Sequence, residues 1–242
     1  MIVTCLYDIG QPEDRLIELR YLFEDMASYG MSITVCTEPS LVSLFSHVPP
    51  SVRILSLPKE CLELYTLATS YTGELPIHRH ASKDTKEYLA LLHAKIECLY
   101  RVSDVVEDDT FVWIDMGILK HIRNKSGFLE RLARIHTASF DSIVLPGWSE
   151  TGRAFSTDSI TSRFFGCFGV FPRTYLPTFY QHCKTVLTDF CTQSIYKLCW
   201  ETNAWYVVEM CAMHDQIQRY DCDQDDSLLL SFPYSCIRHT SP

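Results

Sequence analysis

The 242-residue chain has no C-x-x-C pair, no apolar run long enough to cross a bilayer, no internal repeat and no surplus of basic residues. Each absence removes a class of protein. The eleven cysteines are odd in number and irregularly spaced, so reduced core thiols are expected rather than the disulfide framework of a small secreted domain. Its uninterrupted apolar runs are far shorter than the ~20 residues of a spanning helix, so no membrane span is expected. The opening MIVTCLYDIG carries neither a basic leader region nor a cleavage site, which points to a cytoplasmic protein. With 21 Lys and Arg against 30 Asp and Glu, and a pI near 5.4, the chain is not a general nucleic-acid binder, because phosphate affinity needs an excess of cations on one face. An anionic ligand would need a local basic pocket. At 47% hydrophobic and 21% charged, the composition argues against disorder and supplies a sizeable core.

What is present is an alternation. IVTCLY, SITVCT and VRILSL are short and rich in β-branched residues, and RLIELRYLFEDMASYG and LVSLFSHV between them are amphipathic, the βαβ rhythm of an α/β domain. Leu16, Leu19, Tyr21, Leu22, Phe23 and Met26 form a broad apolar face on the first helix, and Gly30 stands where a C-cap glycine belongs. Residues 71–82 read as a loop. The next helix, KDTKEYLALLHAKIECLYRVS, is expected to be capped by Ser82 with Asp84 in its first turn. It leads into the strand FVWID. Then come a helix GFLERLARIH, a strand SIVLP, a polar loop at 147–160, a glycine-interrupted strand RFFGCFGVF and mostly helical chain to about 213. The tail is expected to be a loop and one last strand. The whole of 1–242 reads as one domain with a mostly parallel central sheet flanked by helices, mixed towards the C-terminus.

In open α/β sheets ligands sit beyond the carboxyl ends of the strands, which puts Tyr7, Asp8, Thr37, Glu38 and Asp115 on one rim. An acid at the end of a buried strand caps a turn, pairs with a cation or binds a ligand. Lys95 falls in register with Tyr88, Leu92 and Leu99 on an apolar helical stripe, so either its ammonium snorkels to water or it is aimed at an anion. His78, Arg79, His80, Lys83 and Lys86 cluster before and at the start of the same helix, as a solvated loop or as a phosphate site. Hard cations such as Mg²⁺ or Mn²⁺ take carboxylate and phosphate oxygens, so Asp115 could hold one with a diphosphate. His121, His214 and His239 are further ligand candidates or plain surface residues. Gly166 and Gly169 mark a bulge, a close approach or packing. Glu201, between Trp200 and Trp205, is either a surface acid or a general base near a sugar.

The order IVTCLYD, KDTKEYLALLHAKIECL, FVWIDMGI, FFGCFGVFP, WETNAW resembles the HtrL/YibB-like family of glycosyltransferases over roughly residues 1–210. The resemblance implies a GT-A-like fold, with a nucleotide-sugar-binding half at 1–120 and an acceptor half at 121–242. Tyr7 and Asp8 would lie near the base and ribose, Lys95 near the pyrophosphate, and Asp115 near the metal and sugar. Gly166 and Gly169 would border the donor sugar, with Glu201 on the acceptor side. With the rim and basic cluster included, the expected donor site is Tyr7, Asp8, Thr37, Arg79, Lys83, Lys95, Gly117, Gly166 and Gly169, and Asp115 and Glu201 are the catalytic candidates. The wider GT-A group carries D-x-D where this chain has Asp115, Met116 and Gly117. That leaves a metal held by one Asp and phosphates, a metal-free enzyme, or a degenerate binder. The expected activity is transfer of a sugar from a nucleotide diphosphate donor, such as a UDP-sugar, to a glycan or glycoconjugate acceptor. The alternatives are a catalytically silent nucleotide-sugar-fold binder and another nucleotide-binding α/β enzyme such as a nucleotidyltransferase.

Overall fold

The computed structural model describes residues 1–148 and 155–238. Seven strands form the central sheet: β1 (Ile2–Leu6), β2 (Ile33–Thr37), β3 (Val52–Ser56), β4 (Thr110–Ile114), β6 (Ile143–Gly147), β7 (Phe168–Pro172) and β8 (Ile217–Asp221). Their order is β3-β2-β1-β4-β7-β6-β8. All pairings are parallel except those of β7, which runs antiparallel to both β4 and β6. Two-residue strands β5 (Ser139–Phe140) and β9 (Ile237–Arg238) make a separate ladder.

Burial on both faces explains the unbroken apolar runs, since a parallel sheet covered on both sides has no solvent face to mark with polar residues. In β1, β2 and β4 the side chains alternate between two cores. Val3, Cys36, Phe111 and Trp113 join the core under α2 (Glu63–Thr69), α3 (Lys86–Ser103), α5 (Leu176–Thr192) and α6 (Glu201–Val208). Ile2, Ile33, Val35, Val112 and Ile114 join the core under α1 (Glu13–Ala27), α4 (Lys125–His136) and the single turn α7 (Ser227–Leu230).

Several local expectations change. Gly30 takes the left-handed conformation a helix-terminating glycine supplies, at φ 71°. Tyr21, however, is 58% exposed, so the apolar face of α1 is narrower than its sequence suggests. Residues 39–45 form a 3-10 turn, not an amphipathic helix, and the α2 helix was not anticipated. The cap of α3 is Thr85, whose side chain accepts from the Tyr88 N–H; Asp84 lies before the helix, buried, and accepts from the His80 N–H instead. The strand expected across both glycines starts only at Phe168, so Gly166 precedes it. β8 comes at the start of the tail, leading into the acidic stretch 221–226, and adds to the sheet beside β6.

Because β7 is the sole reversal within the described sheet, the carboxyl ends of β1, β2, β3, β4, β6 and β8 lie along one rim with the start of β7.

Candidate functional site

At the centre of this rim the chain buries a lysine among oxygens. Lys95 Nζ donates to the Asp115 carboxylate at 3.0 Å, to Glu201 Oε1 at 3.0 Å and to the Gly166 carbonyl at 3.0 Å. Three elements meet here. The apolar stripe of α3 points Lys95 at the sheet, Asp115 follows the last residue of β4, and Glu201 opens α6. Burial alone would lower the lysine's proton affinity, and it is the largest single influence. The neighbouring Asp115 and Glu201 together outweigh it and hold the ammonium well above the usual lysine range.

Asp115 is oriented as well as paired. Its Oδ1 accepts from the Trp113 indole N–H at 2.9 Å, and its backbone N–H donates to the Cys167 carbonyl at 2.9 Å. Its side chain remains 37% exposed, against 7% for Lys95 and 4% for Glu201, so Asp115 is the member of the cluster open to solvent. Gly166 permits the arrangement, because a Cβ there would fall on the Glu201 carboxylate. Tyr88 stands beside the cluster as a neutral phenol. Burial, opposed by Lys95 but reinforced by Glu201 and Asp115, pushes its hydroxyl up to about 12.

The structure brings Lys95, Asp115, Glu201 and Gly166 together and places the other candidates elsewhere. Tyr7 is 1% exposed and packs in the core with Cys36 and Cys98, not on the rim. The Thr37 hydroxyl donates to the Leu6 carbonyl at 2.6 Å and ties β2 to β1. Asp8 does reach the rim, exposed, with its backbone N–H donating to Glu38 Oε1 at 2.6 Å; Lys59 lies 3.7 Å from Glu38. Gly117 makes room for Leu19 of α1, and Gly169 for Phe171 and Leu145, so both serve packing. Arg79 donates to the Pro76 carbonyl at 3.1 Å, while its buried Nε has no acceptor among the described residues. Lys83 lies 5.4 Å from the centre of the Tyr88 ring, which links the basic segment to the cluster.

Two expectations about Glu201 and Lys95 are corrected. Glu201 is buried behind the site, and its flanking tryptophans are core residues: Trp205 packs against Phe171 and Phe179. Of the two readings of Lys95, snorkelling fails: the ammonium is buried and aimed at anions, the Asp115 and Glu201 carboxylates, with the Gly166 carbonyl as a third acceptor. Sequence reasoning missed Trp113, and it placed Tyr88 beside Lys95 on the helical stripe without giving it a role. The alternation of a strand already places residues 113 and 115 on one face, and that signal could have found the first.

His121 is exposed, and His214 pairs with Asp215 at the surface; His239 lies outside the described residues. Among the described residues, no group of three or more His, Cys, Asp or Glu is placed to hold a metal ion. Both Asp115 oxygens lie within reach of the Lys95 ammonium, so a hard cation on this carboxylate would have to take its remaining ligands from a bound diphosphate.

No described helix is long and apolar enough to cross a membrane. No protein-family model matches the chain, and a search of curated proteins finds no match. Among solved structures, 4-diphosphocytidyl-2C-methyl-D-erythritol synthase from Anaerococcus prevotii aligns over 99% of this chain and 90% of its own, at 8% identity and a TM-score of 0.43. Mannose-1-phosphate geranyltransferase from Thermus thermophilus aligns over 91% and 72%, at 9% identity and a TM-score of 0.41. Likeness this slight transfers no function from either protein to this one.

Proposed function

We propose that this chain is a nucleotide-binding transferase whose donor lies across the carboxyl rim of β1, β2 and β4. The observation that carries the proposal is the Asp115 carboxylate, exposed on one edge and held on the others by Trp113 and Lys95. A preorganised acceptor of this kind binds a donor hydroxyl without having to reorganise first. Asp8, Glu38 and Lys59, beyond the ends of β1, β2 and β3, offer polar groups to a base and ribose. Arg79 and Lys83 offer countercharge to a diphosphate.

Within that class, transfer of a sugar from a UDP-sugar to a glycan or glycoconjugate is the finer proposal. Asp115 would orient the donor sugar, and Glu201 would act through Lys95 as a positioning residue. A departing diphosphate would be stabilised by the basic segment, with no metal required from the protein. Saturation of Lys95 by protein oxygens favours a second reading, a binder without turnover.

Product analysis separates these. Incubation with UDP-glucose, UDP-galactose or UDP-N-acetylglucosamine, with and without Mn²⁺, releases UDP if the chain transfers the sugar to water or to an added glycan hydroxyl. Incubation with CTP or GTP and a sugar phosphate releases pyrophosphate if it transfers nucleotides. Calorimetric binding of UDP or CTP without either product supports the silent binder, and no nucleotide binding at all rejects the assignment.

A further inference from the structure

We propose that Trp148 is the stacking platform of a carbohydrate subsite on the same rim as Asp115. Three of the four tryptophans are buried, at 1% exposure for Trp113, 6% for Trp200 and 2% for Trp205, whereas Trp148 is 47% exposed. Of the four indoles it is therefore the one whose face is open to a ligand.

The ring is also held still. Its N–H donates to Asp223 Oδ1 at 3.1 Å, and its edge packs on Phe165 at 5.4 Å and 83°. Its backbone N–H donates to the Ser162 carbonyl at 2.8 Å. A flat apolar face fixed before the ligand arrives loses little conformational freedom on binding.

Its place in the sheet makes the face useful. Trp148 follows β6, whose carboxyl end is on the rim of β4 but separated from it by β7. Trp148 therefore lies two strands along the rim from Asp115, with its ring on the side of the sheet that carries Phe165. The supporting Phe165 is followed directly by Gly166, whose carbonyl accepts from Lys95. Platform and cluster are therefore mounted on one stretch of chain.

Local charge selects the ligand. Asp223 holds the indole, Asp225 lies two residues on, and Asp221, two residues before, is paired with Arg219, whose guanidinium also reaches the Gly147 carbonyl beside Trp148. Carboxylates and a paired guanidinium offer both acceptors and donors to hydroxyls without a net site for a phosphate, while the ring face receives the C–H face of a pyranose. A neutral saccharide matches both. Its role as acceptor subsite rests on the transferase proposal; saccharide binding itself does not.

The test compares the unaltered chain with Trp148→Ala and Trp148→Phe. The probes are the methyl β-glycosides of glucose, galactose and N-acetylglucosamine and their β-linked disaccharides, followed by saturation-transfer NMR and by tryptophan emission, which Trp148 should dominate in its response because the other three indoles are buried. UDP affinity is measured in parallel by calorimetry. We expect at least one saccharide to bind and to shift the emission. Trp148→Ala should weaken that saccharide at least tenfold, Trp148→Phe by less, and UDP affinity should stay within twofold. Failure of every saccharide to bind the unaltered chain, or equal affinity in both variants, overturns the subsite. Should Trp148→Ala not fold, Trp148→Phe carries the comparison through the lost emission response and its weaker binding. Saccharide binding without any nucleotide binding would instead overturn the transferase proposal and leave the subsite standing.

Discussion

Lys95 gives its N–H groups to Asp115, Gly166 and Glu201, so Lys95→Met would leave two acids facing each other in a site built for a cation. Breaking a buried pair by removing one partner costs about 3–5 kcal/mol, and a fall of that size in urea unfolding at pH 7 is expected. A change below about 1 kcal/mol would mean that the cluster is solvated and loosely held. Since Lys95 is held above its ordinary 10.5, its stabilising charge is fully present below that value and fades only as pH rises beyond it. His93, on the same helix, sets the acid side. It is buried, its Nε2 meets the Cys199 carbonyl at 2.9 Å, and burial pushes its pKa down to about 4 from an ordinary 6.5. The unfolded chain takes up a proton that the buried ring refuses, so stability is whole above 6.5 and is lost as pH falls towards 4. The loss should reach about 3 kcal/mol, read from urea midpoints across that window. His136, half-buried and also held down, adds to the same slope. His93→Gln keeps a donor that does not titrate, and should flatten most of it.

The elements are decided by their ends as much as by their faces. Thr85, not Ser82, caps α3, and the two residues make opposite predictions. Thr85→Ala should cost about 1 kcal/mol, the usual loss when a capping hydroxyl is removed. Ser82→Ala, at an exposed position, should stay within about 0.5 kcal/mol. Equal losses would return the cap to Ser82. Both residues are good caps by type, and the choice between them depends on where the chain enters from 76–84. That entry is set by contacts distant in sequence: the Ile77 and His78 N–H groups both donate to Asp158. The start of α6 works in the same way. Asn203 accepts from the Thr161 N–H and donates to the carbonyls of Ser156 and Ser159, so one turn of helix carries both Glu201 and the support for the segment leading to Gly166. No pattern within WETNAW announces those partners.

Across the molecule, all eleven cysteines are free, six of them buried and only Cys61 and Cys211 exposed. Burial raises the thiols of Cys167, Cys183 and Cys199, which keeps them protonated and unreactive. In the native chain two thiols should therefore react rapidly with a disulfide reagent and the buried six only after unfolding; dithiothreitol should leave the melting point unchanged. Fast modification of more than the five exposed and half-buried thiols would show that the core opens. The reduced core, the α/β class and the strands β1, β2 and β4 were legible in the sequence, because apolar runs of strand length and turn residues are local signals that survive folding. So were Asp115, Lys95, Glu201 and Gly166 as individuals, each being a residue out of keeping with its surroundings. Their meeting was not legible, for Lys95 and Glu201 are 106 positions apart and join only through the packing of α3 and α6 over the sheet. Tyr7 shows the converse, since a residue just past a strand reads as rim, and only the packing of α2 and α3 decides that its ring turns inward. Hydrophobic pattern along the chain determines which segments are strands and helices. The reversal of β7, the addition of β8 beside β6 and the gathering of the charged cluster were decided by competition for burial between distant segments, which no local stretch of sequence encodes.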